Sequence, residues 1–237
     1  MKFGKAILGV SAALAMGTGL AHAGIMNLSA LTGGQYEVIV WSGDGTPYTA
    51  TAAAHPSLGS ALAAFTYTGD INFVNTASNN GQNAKLNTFG DFGFSSSNIS
   101  NFNSADSLSQ FLGTTMSLGN YVDNTYMAFI GQYSAPAGTS LTITHDDGAS
   151  FYTIGANYSL NTVLSSPGPT AQTSTTGWLP SGTNVFGLVY VEANGSPSVL
   201  TATVNTPSTV PEPNTFALMG AGLLAMGLWT MRRRKSL

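Results

Sequence analysis

The sequence predicts an all-β protein: an antiparallel β-sandwich of jelly-roll-like type, preceded by an N-terminal signal peptide and followed by a single C-terminal transmembrane helix. Two observations point to the sandwich. Short segments in the middle of the chain alternate apolar and polar residues and are rich in β-branched and aromatic side chains, a pattern typical of strands with one buried face. Gly, Ser, Thr and Asn dominate between these segments, and no helical heptad pattern is evident. The predicted strands are residues 36–41, 64–68, 127–133, 141–145, 151–154, 185–192 and 199–204.

Two segments of the middle depart from this pattern. Residues 57–64, which follow Pro56, predict one short connecting helix. Residues 72–124 are dense in Asn, Gly and Ser, a composition that favours turns and left-handed backbone positions, so we expect long loops with short strands between them. An Asn-rich, aggregation-prone segment is the other interpretation of this composition. Interleaved phenylalanines favour loops that are pinned to a core: Phe89, Phe92, Phe94, Phe102 and Phe111.

The charge of the chain is low and unevenly distributed. Charged residues make up 7% of the 237 residues, against about 25% in a typical soluble domain. Residues 24–210 hold nine of the ten acidic residues and one of the seven basic ones, Lys85, which gives them a formal charge of −8. This argues against nucleic acid as a partner, because phosphate binding depends on Lys and Arg. Hard cations such as calcium would be attracted instead.

The chain contains no cysteine. Disulfide frameworks, thiolate zinc sites and cysteine nucleophiles are therefore excluded. An exported domain of this composition depends on a packed core for its stability.

Residues 1–23 have the three-part layout of a secretory signal peptide. Two lysines precede an apolar stretch, residues 6–20, and small residues follow at Ala21 and Ala23. This small-x-small form is what signal peptidase accepts, so we predict cleavage before Gly24. The apolar stretch is shorter than the about 20 residues that a spanning helix needs, which argues against a permanent anchor.

The C-terminal end has three parts. Residues 206–213 are a Pro-rich linker, residues 214–231 predict a transmembrane helix, and residues 232–237 are a basic tail. Its charge-free apolar run, residues 216–231, would be about 24 Å long as a helix, short of the about 30 Å hydrocarbon layer. A basic cluster belongs on the cytoplasmic side, which leaves the exported domain, residues 24–205, outside the membrane. The linker ends in Val210, Pro211, Glu212 and Pro213, and the tail contains Arg232, Arg233, Arg234 and Lys235.

These three parts, in this order, resemble the PEP-CTERM sorting tail. Proteins with such tails are handled by exosortase, a membrane-embedded transpeptidase-like enzyme of bacteria that make exopolysaccharide. The resemblance implies that this chain is a substrate of exosortase, exported through the inner membrane to the cell envelope, cell surface or extracellular matrix. Its two prolines fix an extended backbone with few hydrogen-bond donors, which an active-site cleft can grip. An ordinary one-pass anchor with a Pro-rich stem is the alternative.

Residues 137–152 hold the most distinctive pattern of the exported domain. A predicted strand ends in Asp146, Asp147 and Gly148 and reverses into a second strand. Together with residues 179–200, this segment resembles the protective-antigen-type domain, a lectin-like β-sandwich of fungal flocculins and many bacterial surface proteins. The resemblance extends over about 70 residues of this chain.

The resemblance implies a ligand site. In lectin members of that family, paired aspartates bind calcium, sometimes through a cis peptide, and the ion holds sugar hydroxyls. It therefore implies calcium as a cofactor at Asp146 and Asp147. Calcium takes six to eight oxygen ligands, so a second loop must contribute, and Asn194 is our candidate. Asp-Asp-Gly is also favourable hairpin-turn chemistry, and a turn without a ligand is the other interpretation.

His145, next to the two aspartates, is a candidate for catalysis. Strand alternation places it in line with Leu141 and Ile143, so we expect it to face the core as a structural residue. The sequence specifies neither a nucleophile with an aligned base nor two carboxylates held across a cleft. Trp41 and Trp178 either stack on sugars or pack against the core.

The expected function is that of a non-enzymatic surface or matrix protein whose sandwich binds carbohydrate or packs against neighbouring molecules. The expected partners are exosortase, the membrane through the C-terminal helix, and polysaccharide. An extracellular carbohydrate-active hydrolase is the alternative from another class. A purely structural coat component without a ligand is the third interpretation.

Overall fold

A computed structural model describes residues 32–42, 49–52, 61–75, 88–117, 124–195 and 197–207. The predicted signal peptide, sorting motif, transmembrane helix and basic tail lie outside these residues. Within the ranges given, no helix is long and apolar enough to cross a membrane.

The described part of the chain is built mainly from strands, with two short helices and one 3-10 turn. The strands are β1 (Thr32–Ser42), β2 (Ala63–Asp70), β3 (Asn72–Asn75), β4 (Ile99–Ser104), β5 (Thr125–Ala135), β6 (Ser140–Asp146), β7 (Gly148–Ile154), β8 (Leu160–Ser166), β9 (Thr173–Trp178), β10 (Gly182–Glu192) and β11 (Ser198–Asn205). The helices are α1 (Phe89–Phe92) and α2 (Leu108–Gly113), and the 3-10 turn is Ala156–Tyr158.

The strands form two sheets. One has seven strands in the order β4-β2-β1-β5-β10-β7-β8, and the other has four in the order β3-β11-β6-β9. The pairings between these strands are antiparallel. The prediction of an all-β antiparallel sandwich is confirmed.

The main core lies between the sheets and follows the period of two. Along β1, Val38 and Val40 face this core, while Ile39 and Trp41 belong to a second cluster on the opposite face of the seven-stranded sheet. Apolar residues on both faces explain why the central strands are hydrophobic along most of their length. The second cluster also includes Tyr126, which donates a hydrogen bond to the carbonyl of Thr51 at 2.8 Å.

The two helices carry aromatic side chains into the main core. Each begins with a capping box, formed by Thr88 and Asp91 in α1 and by Ser107 and Gln110 in α2, which satisfies free N–H groups of the first turn. The aromatic rings of Phe89 and the α2 residue Phe111 stack at a centroid distance of 4.4 Å. The prediction that the phenylalanines pin this region to the core is confirmed for residues 88–117, with four of the five rings buried and Phe102 packed against them.

The predicted helix at residues 57–64 is wrong at its C-terminal end. Ala63 and Ala64 belong to β2 and pair with Val40 and Ile39 of β1. Alanine has a high helix propensity, but this segment packs Ala63 into the sheet core, and tertiary packing overrides local propensity. Residues 57–60 lie outside the described residues.

Candidate functional site

The three residues predicted to bind calcium meet at one end of the sandwich. Asp146 ends β6, Asp147 follows it, and Asn194 lies just after β10. The predicted hairpin at this point is wrong, because β6 belongs to the four-stranded sheet and β7 to the seven-stranded sheet. The Asp146–Asp147 step, whose peptide bond is cis, instead carries the chain from one sheet to the other.

Gly148 allows this crossing to pass close to the connection between β8 and β9. A Cβ atom at Gly148 would lie 2.3 Å from the carbonyl oxygen of Pro167, a distance that no side chain tolerates. Thr170 and Gln172, in the same connection, donate backbone hydrogen bonds to the carboxylates of Asp147 and Asp146 respectively. The two aspartates therefore sit between the β8–β9 connection and the β10–β11 connection.

Asp147 is fully buried, and its carboxylate is saturated with hydrogen bonds. Its Oδ2 accepts from the backbone N–H groups of Ala193 and Asn194, both at 2.7 Å, and its Oδ1 accepts from Asn194 Nδ2 at 2.6 Å. With the bond from Thr170, four donors meet the about four lone-pair sites of a carboxylate. Burial raises the pKa of Asp147, and these hydrogen bonds oppose the rise. Asp147 joins three segments of chain.

The carboxylate of Asp146 accepts fewer hydrogen bonds than that of Asp147. It is 7% exposed, and one backbone donor, Gln172, is assigned to its carboxylate. Burial, and then the nearby charge of Asp147, raise the pKa of Asp146 to about 6. Of the two carboxylates, Asp146 has oxygen lone pairs to offer to a ligand.

A third acid, Glu192, lies directly behind the pair. It is fully buried, and its Oε1 has no hydrogen-bond partner within the described part of the structure. The Tyr190 hydroxyl donates to the backbone carbonyl of Asp146 and lies 2.9 Å from Glu192 Oε2. The hydroxyl therefore lies between two acceptors, the Asp146 carbonyl and the Glu192 carboxyl group. Burial raises the pKa of Glu192 well above its usual value and favours its neutral form, while side-chain hydrogen bonds from Ser198 and Tyr190 oppose the rise.

No basic residue neutralises these three acids among the described residues, which contain neither Lys nor Arg. The buried ring of His145 does not fill this role, because burial lowers its pKa. Its Nδ1 lies 2.7 Å from the carbonyl oxygen of Asp147 and its Nε2 lies 3.2 Å from the Thr175 hydroxyl. A neutral ring satisfies both contacts, and His145 is a structural residue that faces the core with Leu141 and Ile143.

The donor set fits a hard cation better than it fits zinc. Among the described residues, no three His, Asp or Glu side chains are arranged to hold a metal together. A cation here would combine Asp146 with neutral oxygens, such as the side-chain oxygen of the exposed Asn194 and backbone carbonyls. Calcium accepts carboxylate, amide and carbonyl oxygens in flexible geometry, whereas zinc requires a compact set that includes nitrogen or sulfur.

Sequence reasoning missed Tyr190 and Glu192. Both lie at core-facing positions of β10. The sequence did contain a sign of this site: Glu192 is an acidic residue that ends an apolar strand at a position whose side chain points to the core. Of the two tryptophans considered for sugar stacking, Trp41 is buried and Trp178 is 72% exposed. The predicted cleavage residues Ala21, Ala23 and Gly24 lie outside the described residues.

Three solved structures illustrate what this fold is similar to. The PA14 domain of the MpAFP antifreeze protein is 12% identical, with a TM-score of 0.48, 74% of this chain covered and 83% of that one. The PA14 sugar-binding domain of an RTX adhesin is 16% identical, with a TM-score of 0.48 and coverages of 72% and 89%. The Epithelial Adhesin 6 A domain of Candida glabrata, in complex with Galb1-3GlcNAc, is 14% identical, with a TM-score of 0.42 and coverages of 74% and 80%.

The C-terminal end gives the clearest match. No curated protein sequence matches the chain. Residues 209–235 match the family model of the PEP-CTERM protein-sorting motif, and this range includes Pro211, Glu212 and Pro213 together with the basic cluster that begins at Arg232. The chain carries a PEP-CTERM protein-sorting motif, as its sequence led us to expect.

Proposed function

We propose that this chain is an exosortase-sorted cell-surface or extracellular-matrix protein whose β-sandwich binds carbohydrate without turning it over, through a calcium ion held by Asp146, Asp147 and Asn194. The sorting motif implies export and a place at the cell envelope. The binding activity is inferred from the chemistry of the site.

One observation carries the proposal. Two carboxylates, Asp146 and Asp147, lie side by side at one end of the sandwich, nearly and fully buried respectively, and the described residues supply no Lys or Arg to neutralise them. Buried charges in proteins are paired or coordinate metals, because an isolated buried charge is costly. A bound calcium ion would supply the missing positive charge and would present open coordination positions to sugar hydroxyls.

The three residues would have different tasks. Asp146 offers carboxylate oxygens that the protein leaves largely unused. Asp147 orders the loop after β10 through its bonds to Ala193 and Asn194, and so places the exposed Asn194 beside the aspartates. Asp147 would reach calcium only by releasing one of its donors, most simply the Asn194 amide, which can turn its oxygen to the ion.

The test is retention of the full-length protein on the producing organism's own polysaccharide, with calcium and with a chelator. We expect calcium-dependent retention that Asp146→Asn reduces by at least about tenfold, since a carboxylate ligand is lost. Asp106→Asn is the matched control, because Asp106 is exposed and follows β4, the edge strand at the other side of the seven-stranded sheet from β7 and β8, and it should bind like the wild type. Equal retention of wild type and Asp146→Asn would contradict the proposal.

The same assay addresses the hydrolase alternative. Release of reducing ends from the polysaccharide, stopped by Asp146→Asn, would show turnover and would replace the binding module by an enzyme. Glu192 is fully buried and hydrogen-bonded to Tyr190, which leaves it out of reach of a glycosidic bond. Asp147 is also fully buried, so within the described part of the chain neither acid beside Asp146 is placed to act as its catalytic partner. We therefore expect no release.

A further inference from the structure

The outer face of the four-stranded sheet carries rows of hydroxyl and amide side chains. Strand register aligns Thr203, Thr142 and Thr176 across β11, β6 and β9 in one row. The next row consists of Asn72, Thr201, Thr144 and Ser174, and spans all four strands. These side chains are exposed or half-buried, whereas the opposite face of the same strands belongs to the core.

The hydroxyls within each row are hydrogen-bonded in pairs. The hydroxyl oxygens of Thr142 and Thr176 are 2.9 Å apart, and those of Thr144 and Ser174 are 2.8 Å apart. Each pair has two protons and uses one of them internally, so it retains one donor and free acceptor lone pairs. Repeated strand geometry places such groups about 4.8 Å apart across the sheet and about 6.8 Å apart along a strand. The result is a regular polar grid.

An exposed tryptophan lies at one end of the grid and the candidate calcium site at the other. Trp178 is 72% exposed and pairs with Ser140 at the start of β6. Alternation along β6 puts Ser140, Thr142, Thr144 and Asp146 on the same face. The distance from the row of Trp178 to the row of Asp146 is about 20 Å, six residues of extended chain.

We propose that this face is a binding groove for a chain of neutral polysaccharide that continues from the Asp146 site to Trp178. The inference rests on the proposed function and extends it from a single sugar contact to a polymer. The indole of Trp178 packs against the C–H face of a sugar ring, and the paired hydroxyls exchange hydrogen bonds with sugar hydroxyls, which are also both donors and acceptors.

The chemistry of the face selects this occupant over others. Apart from Asp146, no charged side chain lies at the row positions described above, so an acidic polymer would meet no cation there. A protein partner would require an apolar centre, because the buried cores of protein interfaces are apolar. Trp178 and Val74 are the exposed large hydrophobic residues of these strands, and they lie in the two opposite edge strands, β9 and β3.

The test compares a long ligand with a short one. The probes are the neutral fraction of the producing organism's exopolysaccharide and the disaccharides released from it by mild acid, each measured against the full-length protein with calcium. We expect Trp178→Ala to weaken binding of the polymer by about tenfold and to leave binding of disaccharide unchanged. The double variant Thr142→Val with Thr176→Val, which keeps the side-chain shape and removes two hydroxyls, should have the same selective effect.

Tyr158→Ala is the matched control, because Tyr158 is an exposed aromatic residue in the 3-10 turn, outside the four-stranded sheet. It should bind both probes like the wild type. If Trp178→Ala and the double threonine variant bind polymer as tightly as the wild type while Asp146→Asn does not, the groove is wrong and the calcium site stands. If the wild type binds neither probe, both proposals fail.

Discussion

At the scale of single residues, Asp146 and Asp147 differ in how many hydrogen bonds their carboxylates accept. Asp147 accepts four and is fully buried, so it organises the loops, whereas Asp146 accepts one, from Gln172, and keeps oxygen lone pairs for a ligand. The aspartate pair was predicted from a resemblance to a family, and Asn194 from the number of oxygen ligands that calcium needs. The difference between the two carboxylates depends on backbone N–H groups in the β8–β9 and β10–β11 connections. Backbone groups are the same for every residue type except proline, so the sequence of these connections does not predict it.

Tyr190 gives a first prediction. Tyr190→Phe removes the hydroxyl that donates to the Asp146 carbonyl and leaves the buried Glu192 without its bond to that hydroxyl. The free energy of unfolding should fall by about 1–3 kcal/mol, measured by chemical denaturation, because buried polar groups lose their partners. Tyr133→Phe is the control, since Tyr133 makes a 3.4 Å bond to the Pro180 carbonyl and should cost less. An equal loss in both variants would remove any special role for Tyr190.

Asp146 also predicts a pH dependence in the absence of calcium. Its pKa is about 6 in the folded chain and 3.8 for an unperturbed aspartate, so the folded state holds the proton more tightly. The stability that this group contributes is complete below pH about 4 and is lost as the pH rises through about 6. Denaturation in chelator should show stability falling over this range, and Asp146→Asn should fall less steeply. If the free energy of unfolding of the wild type falls no more steeply over this pH range than that of Asp146→Asn, the assignment is contradicted.

At the scale of elements, burial decided which strands the sequence could predict. The seven predicted strands are β1, β2, β5, β6, β7, β10 and β11, which are the interior strands of the two sheets. The four edge strands are the others: β3 and β4 lie in the region where short strands were expected without bounds, and β8 and β9 were not predicted. Edge strands bury less surface, so sequences such as that of β9, Thr173–Trp178, contain few apolar residues and show no alternation of apolar and polar types.

The crossing between β6 and β7 explains why the site was first interpreted as a hairpin. Asp-Asp-Gly is compatible with a tight hairpin turn. The local sequence does not determine whether the next strand joins the same sheet or the other one. That choice is made by long-range pairing, with β6 joined to β9 and β11 and β7 joined to β8 and β10. Gly148 carries this crossing past the backbone of Pro167.

Gly148→Ala tests the crossing. The added Cβ atom would lie 2.3 Å from the Pro167 carbonyl oxygen, so the two segments must separate. We expect a loss of about 1–3 kcal/mol in the free energy of unfolding, together with weaker calcium binding, because the β8–β9 connection donates to both aspartates. Gly168→Ala, beside the same proline but with nothing within 4 Å of the new Cβ, should be neutral. A neutral Gly148→Ala would mean that the close approach does not hold the site together.

At the scale of the whole molecule, the sorting motif and the sandwich serve one location. The motif at residues 209–235 implies processing by exosortase at the cell envelope. The exported part has one basic residue, Lys85, against nine acids, and this composition suits an environment that supplies calcium. The charge balance and the sorting tail could both be predicted from the sequence. The charge balance depends only on composition and the tail on a short contiguous motif, so neither requires knowledge of tertiary contacts.

The measurement that tests the central claim most directly is thermal unfolding of the full-length chain, purified in detergent, with calcium and with chelator. A ligand at about 100 times its Kd that binds only the folded state adds about 2.7 kcal/mol, which for a domain of this size raises the Tm by about 5–10 °C. We predict this rise for the wild type and for Asp106→Asn, and its loss in Asp146→Asn. A wild-type Tm that is the same with calcium and with chelator would contradict the account.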